Sequence, residues 1–126
     1  MEDETALVTG GNRGIGFAIA RALASEGASV IITGRDEDAL RHAADAIKRE
    51  GGSVVSHRCD VRDEDSVDEL FAALRPHFPH IDILVNNAGV AQPSAHVDHM
   101  SLETWRGAID TNLTGAFLCT RAALPI

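Results

Sequence analysis

A chain of 126 residues is, at roughly 150 residues per domain, one domain or part of one. Its 44% hydrophobic and 24% charged residues exclude disorder and coiled coil, and a core of this size needs no disulfide or metal to hold it. A formal net charge of −8 excludes nucleic acid as a natural partner, but a small anion can still be held by local dipoles and one or two arginines. No apolar run approaches the ~18 residues of a membrane span, and the start Met1-Glu2-Asp3-Glu4 is acidic where a signal peptide needs positive charge. A cytoplasmic location is therefore expected. Cys59 and Cys119 form no CxxC or Cys/His cluster and are expected to be reduced and structural. The chain has no Tyr, and Lys48 is its only Lys.

In chain order, the apolar run Ala6 to Val8 predicts a strand. It leads through Gly10, Gly11, Gly14 and Gly16 into a helix with Ile15, Ile19, Ala22 and Leu23 on one face, closed by Gly27. Val30 to Ile32 reads as a second strand. Asp36 is a candidate N-cap for a helix that turns Leu40, Ala43, Ala44 and Ile47 inward and ends at Gly51 and Gly52. Val54 and Val55 mark a third strand. Asp63, Glu64 and Asp65 suit the positive end of a helix whose apolar positions are Val67, Leu70, Phe71 and Leu74, stopped by Pro76 and Pro79. Ile81 to Val85 is a fourth buried-type strand. A loop to about Met100 follows, then a last helix with Leu102, Trp105, Ile109, Leu113 and Phe117 on one stripe.

This β-α alternation with right-handed crossovers predicts an α/β fold, a doubly wound parallel sheet of strand order 3-2-1-4. The first strand then lies at the switch point, where such sheets leave a crevice beyond the strand ends. The glycine-rich turn falls in that crevice.

Two segments carry the chemistry. Thr9-Gly10-Gly11-Asn12-Arg13-Gly14-Ile15-Gly16 gives a tight turn, a close backbone approach and a helix start whose free N–H groups face an anion. Its spacing departs from G-x-G-x-x-G, since Ile19 occupies the place of the third Gly or Ala. Asn86-Asn87-Ala88-Gly89 follows the fourth strand and by itself reads as a turn. Together, T-G-x-x-x-G-x-G and N-N-A-G resemble the short-chain dehydrogenase/reductase family. The likeness continues in Asp60-Val61 after the third strand and in Asn112-Leu113-Thr114-Gly115 within the last helix.

The resemblance implies a Rossmann-type NAD(P)-binding domain over residues 1–126, incomplete at its C-terminus, from an enzyme that moves hydride between a nicotinamide and a carbonyl or alcohol. Gly10, Asn12, Arg13, Ile15 and Gly16 match the family's pyrophosphate and ribose loop, with Gly14 giving the turn. Asp60 and Val61 match the residues that bond and flank the adenine, with a helix-start carboxylate as the plain alternative for Asp60. Asn87, Ala88 and Gly89 match the segment along the cofactor ribose. Asn112 matches the family's catalytic-site Asn, which interrupts a helix and positions a water; exposure on a solvated face is the alternative.

Cofactor choice follows from charge as well. An NAD site wants a carboxylate about 20 residues past the glycines to accept from the adenosine ribose 2′-OH. Arg35 stands there instead, and with Arg13 it favours NADP(H) over NAD(H), unless it is a solvated arginine beside Asp36. The family's catalytic Ser and Tyr-x-x-x-Lys have no counterpart after Asn112, so the chain is expected to be a truncated cofactor-binding half, inactive alone. The alternative is a non-catalytic nucleotide-binding or interaction module. His96, Asp98 and His99 read as a solvated loop rather than a metal site. The parent is expected to be a homo-oligomer, with an open edge at Ile81 to Val85 and with Phe117 and Leu118 exposed in the isolated chain.

Overall fold

The computed structural model describes residues 1–89 and 96–126. Four strands, β1 (Thr5–Thr9), β2 (Ser29–Gly34), β3 (Ser53–Arg58) and β4 (Ile83–Val85), form one parallel sheet in the order β3-β2-β1-β4. Ala6 faces Val30 on one side and Ile83 on the other, so β1 is central and the switch point lies between β1 and β4. Helices α1 (Gly14–Ser25), α2 (Glu37–Arg49) and α3 (Glu64–Leu74) fill the first three crossovers, and α4 (Leu102–Ile109) and α5 (Gly115–Ala123) follow β4.

Side chains alternate across a strand, and that alternation divides the core into two layers. Val8, Val30 and Ile32 pack with Leu40, Ala43, Ala44 and Ile47 of α2 and with Ala20 and Ala24 of α1. Leu7 and Ile31, on the other face, pack with Val67, Leu70, Phe71 and Leu74 of α3 and with Leu118, Cys119 and Ala123 of α5. Asp36 caps α2 by accepting from the N–H groups of Asp38 and Ala39, and Asp63 caps α3 by accepting from Asp65. Each satisfies N–H donors that the helix itself leaves without partners.

Four expectations are corrected. Ile15 is 74% exposed and Ala22 is exposed as well; α1 instead buries Gly16, Ala20 and Ala24, with Ile19 and Leu23 only partly covered. The helix approaches the glycine turn so closely that only small residues fit, and a Cβ at Gly16 would overlap the Gly10 carbonyl and the Asn87 amide. The fourth strand is three residues, Ile83–Val85, rather than Ile81 to Val85, because Asp82 turns its carboxylate to accept from the Thr5 N–H at 2.8 Å.

The last helix is not one stripe. A π-helical turn at Asp110–Thr114 separates α4 from α5, and Leu102, Trp105, Leu113 and Phe117 stay more than half exposed while Thr111, Gly115, Leu118, Cys119 and Ala123 go inward. The wider turn shifts the register between the two halves, so the residues that share the sequence stripe miss the core. Leu118 is thus buried, against expectation, whereas Phe117 is exposed under the Arg121 guanidinium, 5.1 Å from its ring centre. Val55 of the edge strand β3 is also largely exposed. The loop expected to reach about Met100 falls partly on residues 90–95, outside the described residues. No helix among the described residues is long and apolar enough to cross a membrane.

Candidate functional site

A parallel sheet ends all its strands in the same direction, so the loops after β1, β2, β3 and β4 converge. Between them lies a cavity of about 490 Å3. The β1 loop contributes Gly10, Asn12 and Arg13; the end of β2 contributes Thr33, Gly34, Arg35 and Asp36; the β3 loop contributes Cys59, Asp60 and Val61; and the β4 loop contributes Asn87, Ala88 and Gly89. Thr111 of the π turn closes the far wall.

Thr9 ties the first and last of these loops together. Its hydroxyl accepts from the N–H of Asn87 and of Ala88, both at 3.0 Å, and donates to the Val85 carbonyl at 3.3 Å. The Asn87 side chain in turn donates to the Gly10 carbonyl at 3.2 Å. Gly10 takes φ +65° and holds the Ala88 backbone so near that a Cβ would touch it at 3.0 Å, which is why glycine is required there. On the other flank, Gly11 N–H donates to the Thr33 carbonyl at 3.1 Å, and the Asn12 side chain lies over Gly34.

The start of α1 differs from those of α2, α3 and α4. These carry Asp36, Asp63 and Ser101 as side-chain caps, whereas Arg13 at the α1 N-cap makes no capping hydrogen bond. The first-turn N–H groups beside the glycine turn therefore lack a side-chain acceptor, an arrangement that attracts an anion. Charge at the other end is similarly arranged. Arg62 clamps both carboxylate oxygens of Asp60, with contacts of 3.0 and 2.9 Å, and its guanidinium holds that carboxyl below its ordinary range. Arg35 lies near enough to push in the same direction, yet neither Arg35 nor Arg13 has an ion-pair partner among the described residues.

Of the residues expected to form the site, Gly10, Asn12, Arg13, Arg35, Asp60, Val61, Asn87, Ala88 and Gly89 meet at the cavity. Gly14, Ile15 and Gly16 stand just outside it in the first turn of α1, with Gly16 packed under Gly10. Asn112 sits in the π turn, exposed, with its Oδ1 against Gly89, so it joins the β4 loop although it is not a wall of the cavity. Thr33, Gly34, Asp36, Cys59 and Thr111 were not foreseen as site residues. The end of β2 was legible as a strand terminus on the ligand side, but nothing in the composition around Thr111 marks it. His96, Asp98 and His99 are exposed, and a short 3-10 turn spans Val97–His99.

The comparisons with known proteins agree with this geometry. The short chain dehydrogenase family model matches residues 4–126. The chain belongs to the short-chain dehydrogenase family. Its relatives in that family include a 3-oxoacyl-[acyl-carrier-protein] reductase of Synechocystis, 42% identical over 123 residues that cover 94% of this chain and 48% of the relative. A 3beta-hydroxysteroid dehydrogenase 1 of Eggerthella lenta is 41% identical over 98% of this chain and 48% of its own length. A metagenomic short-chain oxidoreductase solved in complex with NADP superimposes with a TM-score of 0.93 at 38% identity, covering 99% of this chain and 57% of that one. The chain thus spans about half the length of the short-chain dehydrogenases it matches.

Proposed function

We propose that this chain is the cofactor-binding portion of an NADP(H)-dependent oxidoreductase that transfers hydride between a nicotinamide and a carbonyl or alcohol. The observation that carries the reading is the cavity built from all four strand ends, with the uncapped α1 start at one side and the unpaired Arg35 at the other. The residues present fit such a group. The volume lies within the ~300–1,000 Å3 of small-molecule sites, and the buried hydroxyls of Thr33 and Thr111, both walls of the cavity, have no hydrogen-bond partner among the described residues. Buried hydroxyls without partners await a ligand or a water.

The roles follow from position. Gly10, Asn12 and Arg13, with the first-turn N–H groups of Gly14, Ile15 and Gly16, would hold the pyrophosphate and its ribose. Asp60 and Val61 would receive the adenine, and Asn87, Ala88 and Gly89 would line the nicotinamide ribose. Arg35 and Arg13 would meet a 2′-phosphate, which carries close to two negative charges at neutral pH. Once bound, the cofactor would supply the hydride to a carbonyl or accept it from an alcohol. Asn112, held against Gly89 in the π turn, would position a water at the nicotinamide end, since a π turn leaves main-chain groups out of the regular helical ladder.

A 3-oxoacyl-[acyl-carrier-protein] reductase and a 3beta-hydroxysteroid dehydrogenase are nearly equally similar to this chain, which supports placing substrate choice outside these 126 residues. With no Tyr to donate or accept the substrate proton, the chain alone would bind cofactor without turnover. The test is titration of NADPH and NADH against the protein and against Arg35→Asp. Losing a hydrogen bond between charged groups costs roughly 1.5 to 3 kcal/mol, so a preference of about 10- to 150-fold for NADPH is expected, with the substitution reversing it. Equal affinities in the unsubstituted protein would overturn the cofactor assignment.

A further inference from the structure

Arg58 ends β3 at the open edge of the sheet, where a charged side chain ordinarily reaches into solvent and keeps other strands from pairing. Here the side chain stays exposed but is also tied to the neighbouring strand. Its Nε donates to the main-chain carbonyl of Arg35 at 3.0 Å, crossing from β3 over the end of β2. The neighbouring backbone is fixed at each step: Arg58 pairs with Gly34 in the ladder, Cys59 N–H donates to the Gly34 carbonyl at 2.9 Å, and Asp36 is committed to capping α2. Arg35 therefore leaves the sheet between two pinned residues, and among the described residues the tie on its own peptide from outside β2 is the Arg58 guanidinium.

The charge balance makes this contact informative. In a chain with eight more acidic than basic residues, neither Arg35 nor Arg58 has an ion-pair partner among the described residues. Both nearby carboxylates are occupied, Asp36 by the α2 N-terminus and Asp60 by Arg62. The Arg58 guanidinium thus lies against the peptide of Arg35, a cavity wall, while the Asp36 and Asp60 carboxylates there are engaged by other groups, and a positive charge so placed favours an arriving anion.

We propose that Arg58 is a positioning and specificity-determining residue, which locks the Arg35 peptide and adds a second positive charge to the place where a 2′-phosphate would sit. The inference rests on the NADP(H) reading and extends it to a residue that does not itself line the cavity. It predicts an effect on the 2′-phosphate alone.

The probes are 2′,5′-ADP and 5′-AMP, which differ by that phosphate, titrated calorimetrically into the unsubstituted protein and into Arg58→Met, Arg58→Lys and Arg35→Met. Arg58→Met should weaken 2′,5′-ADP by roughly three- to tenfold and change 5′-AMP by less than about twofold, with Arg58→Lys recovering most of the loss. Equal weakening of both probes would show a merely structural arginine and overturn the proposal, as would no change in either. The two readings fail separately. If the unsubstituted protein binds both probes alike, the NADP(H) assignment itself is wrong; if it prefers 2′,5′-ADP and only Arg35→Met removes the preference, Arg58 has no part in it.

Discussion

Replacing Thr9 by Val keeps the volume and branching of the side chain and removes one oxygen, so it isolates the three hydrogen bonds that join β1 to the end of β4 and the loop after it. Thr9 is 1% exposed, and its hydroxyl serves the N–H groups of Asn87 and Ala88 and the Val85 carbonyl. A buried donor stripped of its acceptor costs about 1–3 kcal/mol, and two N–H groups lose theirs at once. Because the loop can move outward and recover water on one, the expected destabilisation is about 2–4 kcal/mol. At roughly 2 cal/mol/K of unfolding entropy per residue, a 126-residue domain shifts by about 4 °C per kcal/mol, which sets the expected fall in Tm at roughly 8–15 °C. Differential scanning calorimetry reads this directly, and Thr9→Ser, which keeps the oxygen, should lose less than half as much. A Thr9→Val protein melting within about 2 °C of the parent would refute the idea that this hydroxyl holds the two loops together.

Gly16→Ala gains about 1 kcal/mol of helix propensity but forces a Cβ into the Gly10 carbonyl and the Asn87 amide. With overpacking at about 1–3 kcal/mol, the net effect should be a lower Tm and weaker 5′-AMP binding, and equal or better values in both assays would contradict the packing described. Burial pushes the Cys119 thiol up to about 12 and raises that of Cys59, so at pH 8 neither should react with iodoacetamide in the native protein while both react in urea. The same shift means that this stabilisation is full below the ordinary thiol range and is lost as pH climbs toward 12. For Asp60 the sign is opposite. Its folded carboxyl is held low by Arg62, so Asp60→Asn should melt earlier than the parent at pH 7, and the two should converge as pH falls below about 4.

How much of this was legible depends on how each helix meets the sheet. Both α2 and α3 rest on side chains of ordinary size, and Leu40, Ala43, Ala44, Ile47 and Val67, Leu70, Phe71, Leu74 all go inward as their spacing predicts. Close approach misleads the same reasoning. Where α1 touches the glycine turn, the buried face is Gly16-Ala20-Ala24, and hydrophobicity weighting assigns the face to larger neighbours such as Ile15 that lie outside. Past Ile109 the period itself changes, and a pattern read at 3.6 residues per turn cannot register a π turn. Among site residues the glycines and amides were legible because their conformational demands are distinctive. Thr33 and Thr111 were not, because a threonine becomes informative only once its hydroxyl is found buried without a partner.

The tie between Thr9 and Asn87 spans 78 positions of the chain, whereas β1, β2 and β3 with α1 and α2 lie within residues 5–58. Long separations are slow to close, because chain entropy is lost before any contact compensates it. During synthesis the three-stranded half with its α1–α2 core can consolidate before β4 emerges. Of the four strands, β4, with only three paired residues, then arrives last and brings Asn87, Ala88 and Gly89 with it. Of the four strand-end walls of the cavity, this one is therefore the last to be built. A nucleotide that needs all four walls will capture only molecules that have finished that step, and should slow their unfolding by holding shut the strand that leaves first.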